Sequence, residues 1–156
     1  MRIQICAVGR LRRGPERILV DDYLSRFDKT GRPLGLGPAH ENQVDDRKSG
    51  GVEAQAALLG RAIPDGAVVW ALDERGSRLS SPEFAAQLAL CRDNGARDVA
   101  ILIGGADGLA SDLRASAHKQ ISFGAMVWPH MLARVMLAEQ LYRAATILAG
   151  GPYHRA

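Results

Sequence analysis

The chain has 156 residues, 47% of them hydrophobic and 24% charged, with a formal net charge of +3. That length fits one domain, 1–156, with enough interior to fold without disulfide or metal staples, and the composition excludes wholesale disorder. No apolar run approaches the roughly 18 residues that a membrane-spanning helix needs, and the apolar core near the start is too short for a secretory signal, so the expected setting is the cytoplasm.

Taken in chain order, Ile3, Ile5 and Ala7 alternate with Gln4, Cys6 and Val8 until Gly9, which predicts a first strand. Arg10-Leu11-Arg12-Arg13-Gly14-Pro15 is a basic turn. From Glu16 onward, Ile18, Leu19, Tyr23, Leu24 and Phe27 recur at helical spacing. Residues 30–51 are rich in Gly, Pro and charge; a short strand is expected near 34–39, followed by a loop. Residues 52–62 read as a helix stopped by Pro64 and Gly66. The continuous apolar run 67–72 predicts a strand buried on both faces, with Asp73-Glu74-Arg75-Gly76 as the loop after it. Ser80-Ser81-Pro82-Glu83 has the capping Ser, early Pro and early Glu of a helix start, and that helix runs through Phe84, Leu88 and Cys91 to Gly95. Residues 98–103 predict another buried strand, ended by Gly104-Gly105-Ala106-Asp107-Gly108. A short helix is expected from Ser111 to about His118, a last strand at 121–123, and a helix from His130 to about Ala149. Strands alternating with helices predict an α/β fold with a mostly parallel sheet covered by helices on both faces.

The small net charge is uneven. Residues 1–13 hold four Arg and no acid, and residues 113–156 hold five basic residues against Glu139 alone. Seventeen of the 20 basic residues are Arg, which suits bidentate phosphate contact; GC-rich codon usage explains the same excess. Cys6 and Cys91 are too few and too far apart for a zinc site or disulfide framework and read as buried thiols. No metal is expected.

Three segments carry candidate chemistry. The turn 104–108 ends a buried strand, and parallel sheets bind ligands at strand carboxyl ends. It lacks the Lys of a phosphate-binding loop and the spacing of a dinucleotide fingerprint. Residues 122–130, Ser-Phe-Gly-Ala-Met-Val-Trp-Pro-His, offer backbone groups with no obvious ladder partner and Met126 and Trp128 as apolar walls for a heterocycle. The tail Tyr153-His154-Arg155 has by residue type the look of a frayed end, or of groups that meet a phosphate or base. On the last helix Met131, Leu132, Val135, Met136, Leu141, Ala145 and Leu148 form a wide apolar stripe suited to core and dimer contacts. His130 and Arg134 share one face, and Glu139 and Arg143 are spaced for a surface ion pair. His40 and His118 receive no role.

Leu72-Asp73, Leu102-Ile103-Gly104-Gly105 with Gly108, Ser122 to Pro129-His130, Arg134, Glu139 to Arg143, and Tyr153-His154-Arg155 occur together in one family. Over nearly its full length the chain resembles the bacterial large-subunit ribosomal RNA methyltransferase H family, small SPOUT-class enzymes. The resemblance implies a C-terminal trefoil knot and a homodimer with its active site at the subunit boundary. It implies methyl transfer from S-adenosylmethionine to N3 of a pseudouridine in large-subunit ribosomal RNA of the assembled ribosome. The cofactor-binding positions it implies are Leu72, Gly104, Gly124, Ala125, Met126, Val127, Trp128 and Pro129. Family members often carry a Thr where Val127 stands, so a side-chain hydroxyl is absent here while backbone contacts remain. For catalysis the tail is expected to supply His154 as proton acceptor, with Arg155 or Arg143 stabilising the N3 anion or holding a phosphate, and Tyr153 beside them; His130 competes for the role, but a helix start disfavours a charged imidazole. Two other readings are a SPOUT enzyme acting on another RNA such as transfer RNA, and a non-catalytic ribosome-binding protein of the same fold. Arg10, Arg12, Arg13 and Arg155 are expected to face the RNA.

Overall fold

The computed structural model describes residues 1–45 and 50–154. Among them five strands and five α-helices alternate: β1 (Arg2–Val8), α1 (Pro15–Gly31), β2 (Ala39–Val44), α2 (Gly51–Ala62), β3 (Val68–Arg78), α3 (Ser81–Asp93), β4 (Asp98–Ile103), α4 (Ser111–Ser116), β5 (Lys119–Ser122) and α5 (His130–Leu148). The strands form one sheet in the order β2-β1-β4-β3-β5, with every neighbouring pair parallel.

The central strands are apolar on both faces because helices cover both. Ile3, Ile5 and Ala7 of β1 and Val99, Ile101 and Ile103 of β4 join Val20, Phe27, Leu88, Leu137 and Leu141 in one core layer beneath α1, α3 and α5. The alternate residues Cys6, Val8, Ala100 and Leu102 meet Leu59 and Leu109 in a second layer beneath α2 and α4. Each fully buried Ile or Leu contributes about 1.5–3 kcal/mol. At the start of α3, Ser80 accepts from the Glu83 N–H and the Glu83 carboxylate accepts from the Ser80 N–H. This reciprocal cap is worth about 1 kcal/mol.

The structure corrects several sequence expectations. The second strand lies at Ala39–Val44, not near 34–39, where residues 32–34 form a single 3-10 turn instead. As an edge strand paired only with β1, it needs no apolar alternation and reads His-Glu-Asn-Gln. Residues 73–76 are not simply a loop: β3 continues to Arg78, its register with β5 breaking between Leu72 and Ser77. Gly76 permits this detour, since a Cβ there would stand 2.7 Å from the backbone of Gln120 and Ile121. The short helix stops at Ser116, where β5 begins three residues later. On α5 the buried face is Ala133, Arg134, Leu137, Ala138, Leu141, Ala144 and Ala145, whereas Met131 and Leu132 are exposed. Small alanines let α5 lie close to α1 and α3, leaving the larger side chains outside. Cys91 is half-buried rather than buried. His118 has a contact after all: its Nδ1 accepts the Val69 N–H at 3.0 Å.

Candidate functional site

At the carboxyl edge of the sheet, the β4–β5 connection steps across β3, because β4 and β5 flank that strand. Such a crossing opens a crevice in parallel α/β sheets. A cavity of about 490 Å³ occupies it, lined by Leu72 where the β3 register breaks, Ile103 and residues 104–111 after β4, and Phe123, Gly124, Met126, Val127 and Trp128 before α5. That volume falls within the range of small-molecule sites. The two segments expected from sequence, the glycine turn and the loop before Pro129, therefore meet at one cavity with Leu72. Ala125 and Pro129 lie within the same loop without lining the cavity.

The glycine turn is closed on itself. The Gly108 N–H donates to Gly105 O at 3.0 Å. A Cβ on Gly104 would stand 2.5 Å from Gly108 O and 2.8 Å from Leu109 N. The facing loop is pinned by buried Ser122, whose Oγ accepts the Gly124 N–H at 3.0 Å and lies 3.1 Å from Glu74 O in the β3 detour. Gly124 itself sits at φ +118°, a backbone setting that side-chain-bearing residues rarely adopt.

The cavity wall also carries His130, the competing proton acceptor, and residues that sequence reasoning did not assign: Glu53 of α2, Asp73, Glu74 and Arg75 of β3, Asp107, and Arg114 of α4. Arg114 and Asp73 pair at 3.5 Å. The break of a strand period at Asp73-Glu74-Arg75 was the available signal. S-adenosylmethionine carries a cationic sulfonium and a cationic amino group. A cradle of glycine backbone with apolar walls and four carboxylates against two arginines suits the net positive charge that such a ligand keeps after its own carboxylate is counted.

Of the tail, the described residues Tyr153 and His154 are half-buried rather than frayed. Tyr153 donates to Glu139 Oε1 at 3.0 Å, its ring packs on Tyr142 at 4.6 Å between centroids, and the Arg143 guanidinium lies 4.9 Å from its centroid. Burial first, then the Glu139 carboxylate, push the Tyr153 phenol upward, so it remains a donor. Glu139 and Arg143, expected as a surface pair, are instead half-buried, with Arg143 Nη2 2.5 Å from Glu139 Oε1. The Glu139 hydrogen bond is the main cause of the raised Arg143 pKa. His154 is half-buried and its Nδ1 has no hydrogen-bond partner among the described residues. Arg155 lies outside the described residues. Neither Tyr153 nor His154 lines the 490 Å³ cavity. Glu139 instead lines a second cavity of about 500 Å³ with Leu19, Tyr23, Phe84, Val135 and Met136. Phe123 and Gly124 border both cavities.

Comparison with known proteins agrees with this architecture. The family model described as "Predicted SPOUT methyltransferase" matches residues 1–154. A protein of Cereibacter sphaeroides (strain ATCC 17025) named ribosomal RNA large subunit methyltransferase H is 69% identical over 155 residues, covering 99% of each chain. One of the same name from Ruegeria pomeroyi is 66% identical with the same coverage. The crystal structure of a probable methyltransferase from Bordetella pertussis Tohama I shares the fold, with a TM-score of 0.54 at 19% identity over 92% of this chain and 96% of that one. The chain belongs to the SPOUT methyltransferases and, within them, to the ribosomal RNA large subunit methyltransferase H family.

Proposed function

We propose that the protein methylates N3 of a pseudouridine in large-subunit ribosomal RNA on the assembled ribosome, using S-adenosylmethionine. The observation that carries this reading is the cavity of about 490 Å³ built by Leu72, the Gly104 turn, Gly124, Met126, Val127 and Trp128 in a chain of this family. The bound cofactor would supply an electrophilic methyl group on its sulfonium. Leu72, Gly104, Gly124, Met126, Val127 and Trp128 would hold it, largely through backbone groups, with Ala125 and Pro129 shaping the loop between them, and the acidic wall would favour its positive charge. The chain's own work is then to align the uracil ring and relieve N3 of its proton. Alignment alone lowers a barrier by several kcal/mol, of order 7–11 in the best intramolecular cases. His154 accepts the proton from N3. Arg155 steadies the resulting anion or an adjacent phosphate. Arg143, already engaged by Glu139 and the Tyr153 ring, holds the tail in place.

Within one chain, Tyr153 packs against Tyr142 and Glu139, whereas the cofactor loops line the other cavity. A second copy resolves this separation. Ile18 and Leu19 on α1, and Met126, Val127, Trp128, Met131 and Leu132 before and on α5, are exposed large hydrophobic side chains, and together they offer surface for a partner. In the proposed homodimer this surface is covered, and the tail of one copy meets the cofactor loops of the other. The same proposal includes a single cytoplasmic domain with the trefoil knot of the family in its C-terminal half, and it is family membership that supports this.

The cheapest test is a thermal shift. S-adenosylmethionine at 100 times its Kd raises stability by about 2.7 kcal/mol, because it binds only the folded chain. No shift at millimolar cofactor contradicts the reading and favours a non-catalytic ribosome-binding protein.

A further inference from the structure

We propose that Gln43 and Arg134 are positioning residues for ribosomal RNA: they fix the turn after β1 so that Arg10, Arg12 and Arg13 face the phosphate backbone beside the cavity. The inference rests on the functional reading above and adds to it the surface that grips the substrate.

Arg134 is 1% exposed. Its Nη2 donates to Gly9 O at 3.0 Å and to Val8 O at 3.3 Å, and its Nη1 donates to Gln43 Oε1 at 2.8 Å. The same Gln43 oxygen accepts the Leu11 N–H at 2.6 Å. One side-chain oxygen thus joins the buried guanidinium to the middle of the basic turn. Leu11 is held inward at 6% exposure, while Arg10, Arg12 and Arg13 on either side are exposed. Glu41, 3.6 Å from Arg134 Nη1 and also paired with Arg17, balances the buried charge.

A guanidinium buried this deeply is costly, and an apolar side chain fills such a site with less desolvation. What the guanidinium adds is donors in fixed directions, here aimed at the last carbonyls of β1. Those carbonyls stand at the carboxyl edge of the sheet. β1 is the parallel neighbour of β4, Val8 Cγ1 lies 3.1 Å from where a Cβ on Gly105 would be, and Ala133, beside Arg134, lines the cavity. The three arginines and the cofactor cavity are therefore on one side of the molecule. A turn fixed before encounter does not have to be ordered on binding, which favours affinity.

The test uses the full-length protein and intact ribosomes. Gln43→Met removes the shared acceptor at similar size, and Gln43→Glu keeps it. Gln43→Met is expected to raise the ribosome Kd and KM on the order of tenfold, with kcat and S-adenosylmethionine affinity at wild-type values and Gln43→Glu restoring both. A triple charge reversal at Arg10, Arg12 and Arg13 is expected to weaken binding further and flatten its salt dependence. In the wild-type chain, the Leu11 amide is expected to exchange its hydrogen more slowly than the amides of Arg12 and Arg13, a readout that needs no variant to fold. Wild-type ribosome affinity in Gln43→Met beside a weakened triple variant, or fast exchange at Leu11, overturns the positioning role and leaves the enzyme reading intact. Wild-type affinity in the triple variant overturns the rRNA-facing surface. A wild-type protein that neither binds ribosomes nor methylates their RNA overturns both readings.

Discussion

Gly104→Ala is expected to abolish S-adenosylmethionine binding and to lower methyl transfer by on the order of a hundredfold or more, the scale of losses that follow ångström-level misplacement at a reacting centre. The added Cβ would stand 2.5 Å from Gly108 O and 2.8 Å from Leu109 N. Both are backbone atoms, so no flexible side chain can swing away, and the turn closed by the Gly108 N–H to Gly105 O bond has to open. Gly95→Ala, beyond α3 and away from the cavity, is the matched control. Its φ of +84° imposes strain, but no atom lies within 4 Å of the new Cβ, so a stability loss of about 1–2 kcal/mol is expected with binding retained. Calorimetric titration of both variants with the cofactor decides the matter. Wild-type affinity in Gly104→Ala contradicts the assignment of this turn as the cofactor cradle.

The second large effect is expected at the tail. Removing residues 153–156 should abolish methyl transfer while S-adenosylmethionine still binds, because neither Tyr153 nor His154 lines the cofactor cavity. His154→Ala alone should lower kcat on the order of 100- to 10,000-fold, the range for loss of a positioned general base. Tyr153→Phe keeps the ring on Tyr142 but loses the bond to Glu139. It should show an intermediate loss if that bond holds the tail in its working position. The measurement is single-turnover methyl transfer on ribosomes, with cofactor affinity determined in parallel. Near-normal turnover in the truncated chain removes the tail from the mechanism.

The two-faced strands were legible in the sequence because β1 and β4 lie between two layers of helices, so residues 5–8 and 99–103 are apolar or small, and the polar Gln4 and Asp98 at the other end satisfy each other. The start of α3 was legible because Ser80 and Glu83 satisfy each other's backbone groups locally. β2 was not: an edge strand carries polar residues and pairs with a strand far away in sequence, so no local period marks it. The buried face of α5 was read in part: Leu141 and Ala145 of the expected stripe are buried, but hydropathy favours Met131 and Leu132 over alanines, whereas close helix packing selects Ala133, Ala138 and Ala144. Arg134 gave no sequence sign of burial, since its partners are backbone carbonyls and an edge-strand Gln. The cavity was legible because glycines mark places where backbone must come close to backbone or ligand. The distance between tail and cavity was not, since nothing in a residue's type says which copy of the chain it serves.

The central claim is tested most directly by following labelled methyl from S-adenosylmethionine into intact ribosomes, separated subunits, naked ribosomal RNA and transfer RNA. The product is then digested to nucleosides and the labelled one identified by mass. Label in the large-subunit RNA of intact ribosomes, recovered as N3-methylpseudouridine, is the predicted result. Label in transfer RNA, or none in any RNA by a protein that binds the cofactor, would contradict it.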